Sequence, residues 1–264
     1  MKNKIDIDKI NSFYASYNKR SLVEPDPLQY LYDYDSPSDR EIVGLIASGL
    51  AYGNVKQILK SVGIVLKKLG KSPKRFIEQA SKTDLLKTFA GFKHRFTTQE
   101  ELAEFLYAIK KILQTDGSLE KCFRKGEKDS DKTVFPAMDR FVRQFYNHIS
   151  SDKNSLLPLP ARGSACKRLN LFLRWMVRKD QVDPGGWSGI SPSKLIVPLD
   201  THLHKISSLL GFTTRKSADM RTALEITEKF KEIDISDPVK YDFALTRMGI
   251  RNDMDYSYIK DLYK

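Results

Sequence analysis

Apolar residues recur along this chain at spacings of three, four and seven, the period of a helix with one face turned to a core. Ile42, Leu45, Ile46 and Gly49 make one such stripe, and Val55, Ile58, Leu59 and Val62, continuing to Leu66 and Leu69, make the next. Leu102, Phe105, Leu106 and Ile109 repeat the pattern, as do Met138, Phe141, Val142 and Phe145. Leu169, Phe172, Leu173 and Met176 form a further stripe. Convincing alternation of the kind that marks strands is lacking. Start signals agree with the stripes. Ser38 with Glu41, and Thr98 with Glu101, have the spacing of a capping box. Ser72-Pro73, Ser191-Pro192 and Asp237-Pro238 each put a cap residue before a proline suited to the first helical position. The pattern predicts an all-α protein of about ten helices.

Two stretches interrupt it. Residues 150–163 read as a loop running into a helix that opens at Lys167, and residues 183–192 read as a Gly/Pro-rich loop preceding Asp200. After Asp200 a short helix is expected, with Leu203, Ile206 and Leu210 inward and Gly211 closing it. The lysine-rich piece from Lys121 to Lys132 reads as a solvated surface segment, and no internal repeat is present.

At 264 residues the chain can bury a substantial core, as one large or two small domains. No apolar run approaches the roughly 18 residues of a membrane-spanning helix, which excludes an integral helical membrane protein. The first residues lack the apolar region of a signal peptide, so the expected place is the cytoplasm, on the nucleoid if the partner is DNA. Two cysteines, Cys122 and Cys166, cannot make a disulfide framework or a four-thiolate cluster and are expected as reduced thiols. Charge changes the picture more. Lysines and arginines number 45 against 33 acidic residues, a net +12. Such an excess favours a polyanion, nucleic acid above all, although a basic surface can also serve solubility alone.

Chemistry concentrates at two positions. On a helical wheel Lys167 lies away from the Leu169/Phe172/Leu173/Met176 stripe and shares the opposite face with Arg174 and Arg178. Crowding by like charges depresses a lysine's pKa, and an amine tuned this way can form a Schiff base. A solvated basic face touching phosphates is the plainer reading. Asp200 is an excellent N-cap, and an aspartate at a helix start can cap and face a pocket at once. Asp200-x-His202-x-His204 suggests a metal site only superficially, because residues two apart on a helix diverge by about 200°.

Together these segments resemble the helix-hairpin-helix superfamily of DNA glycosylases, typified by endonuclease III, whose members carry LPGVGxKTA followed by VDTHxxRV. Leu159-Pro160-Ala161-Arg162-Gly163 with Lys167 to Leu173 matches the first piece, and Val197-Pro198-Leu199-Asp200-Thr201-His202 the second. Upstream, residues 41–69, Ser72 to Phe76 and Ala90 to Lys93 are similar to the helices before the family's hairpin, and Phe243 to Gly249 to its closing helix. The chain as a whole looks closest to a bacterial family without an assigned function, DUF2400.

The resemblance implies an endonuclease III-like fold of two helical subdomains with a cleft between them. A six-helix barrel-like part would cover about residues 37–150, with the hairpin at 156–178. Residues 1–36 and 198–264 would form the second part, all within one unit of residues 1–264. It implies Lys167 as Schiff-base nucleophile and Asp200 as its assisting carboxylate. Arg162, Gly163, Ser164, Arg168, Arg174, Arg178 and His202 would contact double-stranded, damaged DNA. Tyr52, Phe92, Trp175 and Trp187 are candidates to line a pocket for a flipped base.

Departures from the family pattern are plain. The hairpin has one glycine where two are usual, and Arg162 replaces a small apolar residue. Lys167 and Asp200 stand 200 − 167 = 33 residues apart, farther than in endonuclease III. The iron–sulfur cysteines are missing, so no cofactor is expected beyond a monovalent cation at the hairpin. The gap-filling glutamine segment is replaced by Ala47 to Gly53. The expected activity is a bifunctional glycosylase and AP lyase acting on a damaged base, oxidised bases among the candidates. The alternative is a non-catalytic DNA- or RNA-binding protein on a degenerate scaffold of this kind. The sequence points to no protein partner.

Overall fold

A computed structural model describes residues 5–250, 256 and 258–262. Among the described residues its secondary structure is helical but for one hairpin of two two-residue strands and an isolated bridge, with thirteen α-helices. They are α1 (Ile7–Tyr17), α2 (Pro37–Gly49), α3 (Val55–Leu69), α4 (Pro73–Gln79), α5 (Lys82–Thr88), α6 (Gln99–Asp116) and α7 (Leu119–Lys125). Then come α8 (Phe135–Tyr146), α9 (Lys167–Val177), α10 (Thr201–Leu209), α11 (Met220–Lys231), α12 (Asp242–Ile250) and α13 (Tyr258–Asp261). Strands β1 (Lys93–His94) and β2 (Thr97–Thr98) pair antiparallel, His94 opposite Thr97. None of the described helices is long and apolar enough to cross a membrane.

Helix α2 lies at the centre. Every residue from Glu41 to Gly49 is buried, and the helix packs against α9, α3, α4, α7 and the 3-10 turn Pro27–Asp33. Gly44 permits that closeness. A Cβ there would meet Leu31 and Met176 at 3.3 Å and Phe172 at 3.4 Å, so the backbones of α2 and α9 approach where a side chain would hold them apart. Around this pair one hydrophobic core runs without interruption from Ile5 to Leu262. Helix α12 packs on both α10 and α1.

The two expected capping boxes fare differently. At α6 the Thr98 hydroxyl accepts from Glu101 N–H and the Glu101 carboxylate accepts from Thr98 N–H, both at 3.3 Å. The Ser38/Glu41 box does not form. Pro37, with its fixed φ, takes the first helical position and moves the N-cap to Ser36. Glu41 turns inward instead, accepting from Leu119 N–H at 2.9 Å and Glu120 N–H at 3.1 Å at the start of α7, and from Trp187 Nε1 at 2.9 Å. A carboxylate there satisfies orphan amides and the positive helix end. Burial nonetheless holds its pKa above the usual range.

Other expectations shift too. Ser191-Pro192 starts only a 3-10 turn (Pro192–Lys194), and Asp237-Pro238 lies in a turn ahead of α12. Cys122 and Phe123, within the segment expected to be solvated, are buried in α7, because the chain there folds back as a short helix on α6 and α8. Both cysteines are free and buried.

Candidate functional site

Lys167 owes its position to the loop before it. Gly163 and Cys166 both adopt the left-handed conformation, with φ of 82° and 48°. The Ser164 hydroxyl accepts from Cys166 N–H at 3.2 Å, and Asn170 Nδ2 donates to Ala165 O at 3.0 Å. A short antiparallel bridge joins Ser164 to Asp219, and Met220 N–H donates to Gly163 O at 3.3 Å, tying the turn to the start of α11. A non-glycine residue at positive φ is uncommon and persists where its surroundings hold it. Here they hold Lys167 as the first residue of α9.

Asp200 arrives from the other side of the chain and does two things. One oxygen, Oδ1, accepts from Leu203 N–H at 2.8 Å and caps α10; the other, Oδ2, lies 3.2 Å from Lys167 Nζ. The lysine side chain is 37% exposed and the aspartate 17%, so the pair is reachable from solvent. Both border a cleft of about 100 Å³, whose walls also include Ala51, Ile58 and, from α12, Asp242, Phe243 and Arg247.

The other basic residues of α9 are not where the wheel put them. Arg174 is 3% exposed and Arg178 4% exposed. Arg174 Nε lies 3.2 Å from Asp183, and its Nη1 is bound to Asp242. Arg178 is bound by Asp183 and sits 2.8 Å from both Asp180 and Asp237, with Tyr14 donating to Asp180 at 2.9 Å. Neither arginine is free to meet a phosphate. The loop after α9 and the start of α12 bring aspartates against this face, which wheel geometry treats as open. The like-charge crowding expected around Lys167 is also absent, since each guanidinium is neutralised at close range.

Three of the four aromatic candidates belong to the core. Trp187 is 5% exposed, packs edge-on against Phe172 at 5.0 Å and donates to Glu41. Trp175 is 1% exposed and Phe92 is buried; neither borders the cleft. Trp175 lies in α9 and the other two in loops folded against the core, where a large ring contributes most by packing. Tyr52 is half-buried beside the cleft wall. Its hydroxyl bonds to Thr97 Oγ1 at 2.6 Å and His94 O at 2.9 Å, and the Arg168 guanidinium lies 4.8 Å over its ring while donating to Gly49 O. Burial lowers the pKa of both Arg168 and His94.

Arg162, Gly163 and Ser164 are exposed on the turn. Arg162 Nη2 donates to Asp152 O at 3.1 Å in a loose, solvent-facing contact. His202 Nδ1 lies 3.3 Å from Tyr256 Oη, whereas His204 Nε2 bonds Arg215 O at 2.9 Å, so the two rings serve separate neighbours.

The structure adds residues that no spacing marked. Asp242 lines the cleft at 4% exposure, and burial pushes its carboxyl up to about 6 against the opposing pull of Arg174. In sequence it is one more acid before an apolar run, indistinguishable from a cap. Arg247 is buried, 2.8 Å from Asp26 and over the Phe243 ring. On the turn between β1 and β2, Phe96 is 74% exposed beside Arg95, while His94 and Thr97 anchor the turn from within.

Fold and site together define a mostly helical protein with a lysine–carboxylate pair at the mouth of a narrow, ion-rich cleft. The chain belongs to a family described as a protein of unknown function, DUF2400, whose model matches residues 26–251. No curated protein and no solved structure matches it.

Proposed function

We propose that this protein is a DNA base-excision glycosylase with AP lyase activity, acting on a damaged base through Lys167 and Asp200. The observation that carries the reading is the 3.2 Å contact of Lys167 Nζ with Asp200 Oδ2 at the mouth of one cleft. An amine nucleophile beside a carboxylate suits substitution at a sugar carbon. With the nucleotide turned out of the duplex, the free amine attacks C1′ and the glycosidic bond breaks, its electron pair leaving with the base. Asp200 steadies the positive charge that develops on the sugar. The C1′ amine adduct opens to a Schiff base, and loss of a C2′ proton expels the 3′ phosphate.

The reading carries an arrangement with it. Residues 156–178 act as the phosphate-gripping hairpin of an endonuclease III-like fold, with residues 37–150 on one side of the cleft and residues 1–36 and 198–264 on the other. Ser164 offers its backbone amide to DNA beside Gly163, whose own amide closes the turn on Pro160 O, with Arg162, Arg168 and His202 nearby and the exposed Phe96 available to stack on a base. The net charge of +12 suits a polyanion.

At about 100 Å³ the cleft is smaller than the roughly 300–1,000 Å³ of ordinary ligand pockets. Base entry therefore requires the lysine–aspartate contact to open. That narrowness favours one second reading, a nucleic-acid-binding protein without chemistry.

Borohydride trapping decides between them. Duplexes carrying an abasic site, 8-oxoguanine, uracil or a ring-opened purine are incubated with the wild type and with Lys167→Gln. A covalent adduct lost in the variant is expected. Salt-dependent binding with no adduct, no base release and indifference to Asp200→Asn would leave the binding protein.

A further inference from the structure

The cleft holds two carboxylates near one lysine, and their surroundings differ. Asp200 keeps a partly exposed side chain, and its two oxygens are engaged by Leu203 N–H and Lys167 Nζ. Asp242, first residue of α12, is almost wholly buried and lines the same cleft. The charged groups acting on it are Arg174 and Lys167 from α9 and Asp200 from the start of α10. Arg174 is shared with Asp183 of the loop after α9. Farther along α12, Arg247 is held by Asp26. Burial, and then the negative charge of Asp200, raise the proton affinity of Asp242 against the opposing pull of Arg174 and Lys167. Carboxylates whose environments set them apart divide proton transfer from charge stabilisation.

We infer that Asp242 is the proton acceptor of the cleft, taking across Asp200 the proton that Lys167 Nζ must lose before it can attack. One N–H bond breaks and its electron pair stays on nitrogen; one O–H bond forms on Asp242, whose charge falls to zero. Asp200 passes on the proton it takes and so remains an anion facing the sugar. This assignment rests on Lys167 being the nucleophile of the proposed function. It gives Asp242 a task that its pairing with Arg174 alone does not require.

The test reads the amine directly, without DNA. Full-length wild type, Asp242→Asn and Asp242→Glu are treated with glycolaldehyde and cyanoborohydride from pH 5.5 to 9, and labelling at Lys167 is followed by peptide mass spectrometry. Labelling of the exposed Lys60 serves as a control for reagent and fold. A proton acceptor nearby makes the neutral amine available over a broad pH range, so the wild-type rate should climb shallowly. Asp242→Asn should label about tenfold more slowly at pH 7 and climb about tenfold per pH unit, with Asp242→Glu restoring part of the loss.

A carboxylate that merely holds the ammonium charged predicts the opposite sign. Faster labelling in Asp242→Asn than in wild type, or equal rates, would overturn the inference. Trapping on damaged duplexes is scored separately. No wild-type adduct, together with Asp242-dependent labelling, sinks the glycosylase reading and leaves Asp242 as the acceptor. An adduct with the wrong sign of labelling does the reverse.

Discussion

Lys167 and Arg174 stand about two turns apart on helix α9, and both meet aspartates, yet the two meetings differ in kind. The lysine reaches one carboxylate from a side chain more than a third exposed. The arginine is buried between Asp183 and Asp242, and one turn further on Arg178 is enclosed by three more contacts with Asp180, Asp183 and Asp237. An exposed pair gains little from its contact and breaks easily. A buried network has displaced its water and loses heavily if one partner goes. One helix thus carries a buried, fully paired end and a solvent-reachable one, and only the latter can meet a substrate.

Breaking the network should have the largest consequence. Arg178→Ala leaves Asp180 and Asp237 without their cation and Asp183 with Arg174 alone, and denaturant unfolding should register a loss of about 3–5 kcal/mol. A loss under about 1 kcal/mol would show that the network is no more structural than a surface pair.

Next comes pH. The Asp242 carboxyl, pushed up to about 6 from an ordinary 3.8, binds its proton more tightly folded than unfolded. The folded state therefore takes up protons between pH 4 and 6, and this group's contribution to stability is present at low pH and lost as pH rises through 6. Unfolding of Asp242→Asn and wild type, compared from pH 4 to 7, should show the variant gaining relative to wild type by up to about 3 kcal/mol across that range. A constant difference would mean that Asp242 is ionised throughout.

Phe96 sharpens the comparison from the solvent side. Phe96→Ala should leave the melting temperature unchanged, because the ring is 74% exposed. It should weaken binding to single-stranded or damaged DNA by about 1–3 kcal/mol if the ring stacks on a base. Unaltered affinity would remove this turn from the interface. Lys167→Gln, which breaks only a part-exposed pair, should change stability by less than about 1 kcal/mol. A large destabilisation would place Lys167 with the network.

Much of this was legible in the sequence. The helical stripes locate α2, α3, α6, α8 and α9, and the Thr98/Glu101 box marks the start of α6 because both partners lie within one turn. Lys167 and Asp200 could each be read as the start of a helix from the loops before them. Ser38/Glu41 had the same spacing as the box that formed, but Pro37 claimed the helix start and freed Glu41 for α7 and Trp187, distant contacts that no local pattern encodes. Arg174 and Arg178 were misread for a related reason. A wheel treats the polar face as open to water, and whether four aspartates from beyond Val177 close over it depends on how the chain returns.

The sequence by itself determined what local physics can decide: the helical class, most core stripes, the caps and turns, and the residue types able to do chemistry. Tertiary structure decided which of those residues meet and which remain reachable. Burial and pairing are set by elements far apart in the chain, and a charge that is open on an isolated helix becomes part of the core once its partners fold over it.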